Sequence, residues 1–249
     1  MKRFISSTAI AMSLLIGSAA IAADVPANVK AAVADKGRPS ADTERDANRK
    51  PADVVAFAGI KAGDKVADVN PGGGYFTRIF SKVVGPNGKV YATISAAGLA
   101  AKPASGDGMR ALQADAQYGN IVVNASDFDK LTAPEPLDVA WTSDNYHDFK
   151  NRGPGFTEGM NKAIFAALKP GGTYIIIDHA AEKGSGARDT NALHRVDPDL
   201  VKAEVLAAGF KLESESNVLL NPADNHSNKV FEGDTKGKTD QFVFKFKKP

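Results

Sequence analysis

The chain contains no cysteine. That excludes disulfides, cysteine-ligated metals and thiol nucleophiles. A chain of 249 residues needs no such staples, because it can bury a sizeable core. Beyond the first two dozen residues no apolar run is long enough to span a bilayer. An excess of charge is also missing. The first 22 residues hold Lys2 and Arg3 and no acid, so without them the basic count falls from 31 to 29, equal to the 29 acidic residues. A neutral remainder with no basic stripe gives no support for nucleic acid or a charged membrane surface as partner. No internal repeat recurs at a fixed period.

What is present starts with MKRFISSTAIAMSLLIGSAAIAAD. A basic start, an apolar stretch and the small-x-small triplet Ala20-Ile21-Ala22 make the pattern of a secretory signal peptide. Ser6, Ser7, Thr8 and Ser13 make the stretch too weakly apolar for a good membrane anchor. Cleavage after Ala22 leaves 249 minus 22, or 227, residues. The expectation is a periplasmic or secreted protein with no stable membrane association after cleavage. Residues 23–50 read as an N-terminal arm or helical lid, and 51–249 as one folded domain.

Within that domain strands and helices alternate. "KVADV" (Lys65 to Val69), "GKVYATI", "NIVVNA", "LDVAWTS" and "TYIIID" read as five strands. Phe76, Ile79, Phe80 and Val83 stand at helical spacing, as do Phe156, Met160, Ile164 and Leu168. Pro51 suits a first helical turn, "DGMRALQADA" a short helix, and Asp197-Pro198 a capped helix start closed by Gly209. "KLESESNVLL" and "TDQFVFKFKK" are late strands not separated by a helix, with a polar loop from Asn221 to Lys238. The pattern predicts an α/β fold: a Rossmann-like, doubly wound, mostly parallel sheet of seven strands, with a C-terminal antiparallel hairpin at one edge.

The first strand runs straight into Gly72, Gly73 and Gly74 and then a helix. Glycine permits positive φ and close approach of a ligand, and the helix start offers free N–H groups. A nucleotide-like ligand is the natural occupant. Thr77 stands where a dinucleotide fingerprint needs its last glycine, and no Gly-Lys-Ser/Thr follows. Neither common phosphate motif fits.

Asp68, Gly72 and Gly74 after a strand, "LKPGG" before the fifth strand and the terminal hairpin resemble the class I S-adenosylmethionine (SAM) dependent methyltransferases. The likeness is closest to a group of bacterial predicted methyltransferases with "RKPA", "PGGGY", "YHD", "LKPGG", "DH" and "HRVD" segments. It implies SAM as cofactor, held by Asp68, Asn70, Gly72, Gly73, Gly74 and Tyr75, with Asp127 in "ASDF" meeting the adenine. The chain departs from the pattern twice: Asn70 replaces the first glycine, and Ile94 falls where an acidic residue would hold the ribose hydroxyls. Loss of that carboxylate removes a charge-assisted hydrogen bond worth ~1.5–3 kcal/mol.

Methyl transfer needs alignment, exclusion of water and, for some acceptors, a base. Candidate catalytic residues are His147, His179, His194, Asp178 and Tyr146, all in the segments after strands four and five. With no basic stripe or large insertion visible, a small-molecule acceptor is favoured over a macromolecule. An alternative is a metal-assisted enzyme in the same cleft, with Asp144, Asp178, His179 and His194 as ligands. Another is a non-catalytic ligand binder that kept the fold, since SAM is made in the cytoplasm and the chain looks exported. Arg195 is expected to pair with Asp197 or Asp199, or to hold an acidic substrate. Asp197 is expected as a helix cap, His226 as structural, and Arg45, Asp46 and Arg49 as a cover over the cleft.

Overall fold

The computed structural model describes residues 24–249. The expected signal peptide lies outside the described residues. Seven strands form one sheet: β1 (Lys65–Val69), β2 (Lys89–Ser95), β3 (Ile121–Ser126), β4 (Leu137–Ser143), β5 (Leu168–His179), β6 (Lys211–Ser216) and β7 (Gln241–Lys247). Their order is β3-β2-β1-β4-β5-β7-β6. β1 to β5 are mutually parallel, and β7 runs antiparallel to both β5 and β6. The last strand therefore inserts between β5 and β6, and β6 with β7 forms the expected antiparallel pair at one edge, joined by the long loop. A strand joined by a long loop has the chain length to fold back one place inward.

The central strands are apolar on both faces because helices cover both. Successive residues point to opposite sides. Ile175 and Ile177 join one cluster, with Val66, Trp141 and the helices Pro51–Ala58 and Tyr75–Val84. Tyr174 and Ile176 join the other, with Ala67, Phe244 and the helices Phe156–Ala167 and Pro198–Ala207. β6 alternates exposed and half-buried residues, and its Lys211, Glu213 and Glu215 mark it as the charged edge strand.

The N-terminal arm is more ordered than its composition suggests. Helix Ala27–Val33 buries Val29 and Ala32 beside helix Tyr75–Val84. The arm ends in the single turns Ser40–Thr43 and Asp46–Arg49, and the helix expected at Pro51 spans Pro51–Ala58. Lys50, in left-handed conformation at φ 42°, makes the corner. Its successor Pro51 cannot follow a residue in the right-handed helical region without clash. The sequence also conceals a helix, Ala96–Ala101, capped by the Ser95 hydroxyl accepting from the Gly98 N–H.

Phe80 lies fully buried between the ring of Trp141, at a centroid distance of 5.0 Å, and that of Phe76, at 5.7 Å. Phe80→Ala is expected to destabilise the fold by about 3–5 kcal/mol. Leu206→Ala, on an exposed helix face, is expected to change stability by no more than about 0.5 kcal/mol. Denaturant unfolding followed by the fluorescence of Trp141, the single tryptophan, measures both.

Candidate functional site

β1 leads toward β2 and β3 on one side, while β4 and β5 lie on the other. The reversal leaves a crevice at the carboxyl ends of β1 and β4, where ligands bind in open α/β sheets. A cavity of about 430 Å³ occupies it. Asp68, Asn70, Gly72 and Gly73 line one wall, and Asp144, Asn145, His147, Asp148 and His179 the other. Arg45, Asn48 and Arg49 of the arm and residues from Val230 to Gln241 complete it. That volume falls within the range of ~300–1,000 Å³ usual for small-molecule sites.

The two loops that frame the crevice are clipped together. Asn70, at φ 60°, donates from Nδ2 to Asn145 Oδ1 at 2.7 Å, and Asn145 Nδ2 donates to the Asn70 carbonyl at 3.0 Å. The three glycines then divide their work. A Cβ added at Gly72 or Gly73 meets nothing within 4 Å, so bare backbone faces open space there. At Gly74, with φ 83°, a Cβ would meet Leu112 Cδ2 at 2.8 Å. Gly74 therefore serves the packing of helix Asp107–Ala114 and does not line the cavity, contrary to its expected role.

Asp68 is nearly sealed, at 3% exposure, and accepts a hydrogen bond from the Thr77 hydroxyl at 2.6 Å. Burial pushes its carboxyl up to about 7, against the pull of that hydroxyl and of Arg49. Tyr75 lines the cavity but acts mainly on the arm. Its hydroxyl donates to Asp46 Oδ1 at 2.6 Å, and Arg38 grips the same carboxylate with two nitrogens, at 2.7 and 2.8 Å. The guanidinium carbons of Arg49, Arg38 and Arg45 sit 4.7, 5.3 and 5.3 Å from the Tyr75 ring centre. This cation–π cluster fastens the arm to the glycine-loop helix.

On the opposite wall Asp178 organises the histidines. Fully buried, it accepts from the His147 backbone N–H at 2.8 Å, from His147 Nδ1 at 2.8 Å and from the His179 backbone N–H at 2.7 Å. An ionised carboxylate can only accept, so Nδ1 carries the proton and, in the neutral imidazole, His147 Nε2 keeps its lone pair. Burial pulls the His147 imidazole down, but the Asp178 charge and hydrogen bond outweigh it and leave it raised. For His179 burial wins, and its pKa lies below the ordinary value. His179 Nδ1 is hydrogen-bonded to the Thr239 hydroxyl at 2.7 Å. Asp144, at φ 57°, pairs with Arg49 and accepts from Gln241 Nε2 at 2.7 Å. Burial pushes its carboxyl up, and Arg49 with His179 brings it below the usual range.

Several sequence-based expectations do not reach the cavity. Tyr146 is fully buried on the far side, its hydroxyl donating to Glu204 Oε2 at 2.8 Å and accepting from Asn161 Nδ2 at 2.8 Å. Adjacent residues of a helix point roughly 100° apart, so presenting His147 to the cavity turns Tyr146 to the core. Asp127 is exposed at the end of β3, two strands from β1, and makes no contact with the cavity. Ile94 packs against the core, and no β2 residue lines the cavity. His194 stands just outside it, its ring 5.3 Å from that of His147 and 5.1 Å from that of Phe231. Arg195 pairs with neither Asp197 nor Asp199. It lies buried against Asp224, at 2.8 and 3.1 Å, and pins the loop before β7. Asp197 caps its helix through the Asp199 N–H at 2.9 Å, and His226 is tied to Asp240 at 3.0 Å. Trp141 is core. The four residues of the expected metal set do not converge: Asp144, Asp178 and His179 form one group, while His194 belongs to another with His147 and Asp148.

Sequence reasoning passed over Asn145, Thr239 and Gln241. The last two were legible in principle. A final strand antiparallel to its neighbour must begin where β5 ends, and Gln241 pairs with His179.

No protein-family model matches the chain. It is 28% identical over 138 residues, 53% of its length, to a ubiquinone/menaquinone biosynthesis C-methyltransferase, UbiE, of Pseudomonas paraeruginosa. The chain spans about half the length of such curated relatives, 48% in this case. Among solved structures, a SAM-dependent methyltransferase from Aquifex aeolicus superposes with a TM-score of 0.56 at 20% identity, over 86% of this chain and all of that one (100%). The glycopeptide N-methyltransferase MtfA complexed with SAM superposes with a TM-score of 0.54 at 13% identity, over 79% of this chain and 86% of that one. With its strand order, its glycine loop at the switch point and these likenesses, the chain has the fold of the SAM-dependent methyltransferases.

Proposed function

We propose that the chain is a SAM-dependent methyltransferase acting on a small-molecule acceptor. The observation that carries the reading is the convergence on one cavity of bare backbone at Gly72–Gly73, the Asp68 carboxylate and a carboxylate-anchored imidazole. Bare backbone admits the sulfonium end of the cofactor without steric cost. Methyl transfer is an in-line displacement: the acceptor's lone pair forms the new bond to carbon as the bond to sulfur breaks. The protein aligns the two, excludes water and takes the acceptor's proton. His147, with Nδ1 fixed by Asp178 and Nε2 free, is the best-placed base, and His179 is the second imidazole on the wall. The arm residues Arg45, Asn48 and Arg49 cover the cavity and limit the size of the acceptor. The curated relatives are named as quinone-biosynthesis C-methyltransferases, which favours a small acceptor over a macromolecule. The basic, apolar, small-residue start supports an exported protein cleaved after Ala22.

One feature favours a second reading, a non-catalytic binder with a degenerate cofactor site. Ile94 and the exposed Asp127 leave the adenosine without its usual carboxylates.

Calorimetric titration with SAM and with its demethylated product separates the two. Saturable micromolar binding is expected for methyl transfer; absent or millimolar binding of both ligands sinks it. Gly73→Val adds bulk only into open space, so it should leave the unfolding midpoint unchanged and weaken SAM binding about tenfold or more, a loss of ~1.4 kcal/mol.

Asp68 gives a pH signature. Its folded pKa of about 7 lies above the ordinary 3.8, so the protonated form stabilises the ligand-free fold. That contribution is complete below the ordinary value and lost as pH rises through about 7. A cationic ligand prefers the ionised carboxylate. SAM affinity should therefore rise with pH through this window, with release of a proton seen as buffer-dependent binding heat near pH 6. Asp68→Asn should abolish that buffer dependence.

Export predicts that the chain recovered from a secretion-competent host begins at Ala23, read by intact-mass measurement. An intact Met1 start in the cytoplasmic fraction would overturn it.

A further inference from the structure

We propose that His147 Nε2, Asp148 Oδ1 and His194 Nδ1 form a binding site for a zinc-type divalent transition metal at the edge of the cavity. These donor atoms lie within 4.8 Å of one another. Asp148 Oδ1 is 3.4 Å from His147 Nε2 and 3.5 Å from His194 Nδ1. With metal–nitrogen and metal–oxygen bonds of ~2.0–2.2 Å in a tetrahedral shell, neighbouring donors stand about 3.4 Å apart. Two edges of such a shell are thus already set.

Two further observations point to a cation. His147 is oriented from behind by the buried Asp178 carboxylate on its other ring nitrogen. This is the outer-shell partner that metal-ligating imidazoles use. His194 Nδ1 is itself sealed from solvent and makes no hydrogen bond. Buried polar atoms are rarely left so, and a cation supplies the missing partner. Two imidazoles and one carboxylate, with no thiolate in the chain, suit zinc and its first-row neighbours over magnesium or calcium.

The competing trio, Asp144, Asp178 and His179, is already engaged. Asp178 accepts three N–H groups and Asp144 holds the Arg49 guanidinium, a cation that would repel a metal. His147 and Asp148 line the cavity, so the open position of a three-ligand site faces the space assigned to the acceptor and would take an acceptor hydroxyl or phenol oxygen. A metal on His147 Nε2 excludes that nitrogen as the base, so in the metal-bound chain His179 is the imidazole on the cavity wall left to take a proton. The metal site goes beyond the methyl-transfer reading and does not need it.

The test is a zinc titration of the purified chain, without a histidine tag and without SAM, in competition with a chromophoric chelator. About one equivalent of Zn²⁺ should bind to the wild-type chain. Asp148→Asn and His194→Ala should each weaken binding about a hundredfold or more, and Asp178→Asn by about 10–100-fold through loss of the outer-shell bond. His226→Ala, whose imidazole is held by Asp240, should bind as wild type does. Asp148 is half exposed, so Asp148→Asn should fold even if another variant does not, with Trp141 fluorescence as the check. Failure of the wild-type chain to compete with the chelator, or undiminished binding by Asp148→Asn, overturns the site. Because SAM is absent throughout, either result leaves the cofactor titration to stand or fall separately.

Discussion

The buried Asp178 carboxylate is the constraint on which the histidine-bearing wall of the cavity depends. A bare carboxylate in an apolar sheet end would be costly, and this one is offset by three N–H donors. Two of those donors belong to His147 in the helix after β4 and one to β5 itself. The same bonds that keep the charge tolerable therefore fix the start of helix Tyr146–Lys150 against the neighbouring strand. They also choose the His147 tautomer, leaving Nε2 free. Without this carboxylate the His147 ring would lose the hydrogen bond that fixes its Nδ1.

Around that point the crevice is closed by polar contacts in place of apolar ones. The Asn70–Asn145 clip joins the loops after β1 and β4. Arg49 joins the arm to Asp144, and Gln241 brings the last strand to the same carboxylate. Asn70 and Asp144 adopt left-handed backbone at φ 60° and 57°. Such residues cost of order 1–3 kcal/mol each and cluster where a site over-determines them. Short amide and carboxylate side chains tolerate that region best. Asn70 tolerates that conformation and adds a side-chain clip that a glycine cannot make.

The arm and the loop before β7 play parallel parts. Each is polar and poor in apolar residues, yet each is fixed by a buried arginine: Arg38 on Asp46 for the arm, and Arg195 on Asp224 for the loop. A guanidinium with two carboxylate contacts gives direction as well as energy, and so positions segments that cannot make a core of their own. Both segments end at the cavity. The cavity is thus bounded by elements far apart in the chain, with the Arg49–Asp144 pair joining the arm to the segment after β4.

The alternating sheet was legible in the sequence because periodicity is local: apolar runs of strand length, helices at steps of three and four, and capping residues such as Asp197 all act within a few residues. The glycine loop and its place at the end of β1 followed for the same reason. What the tertiary structure alone decided was partnership. The chain order does not reveal that β7 slips between β5 and β6, that Gly74 faces Leu112 while Gly72 and Gly73 face open space, or that Tyr146 turns inward so that His147 can turn out. Nor does it reveal that Arg195 seeks Asp224 and not its near neighbours. Each of these depends on which groups meet after distant segments have packed, and burial energies that choose among such pairings are set by the whole fold and not by any short stretch of it.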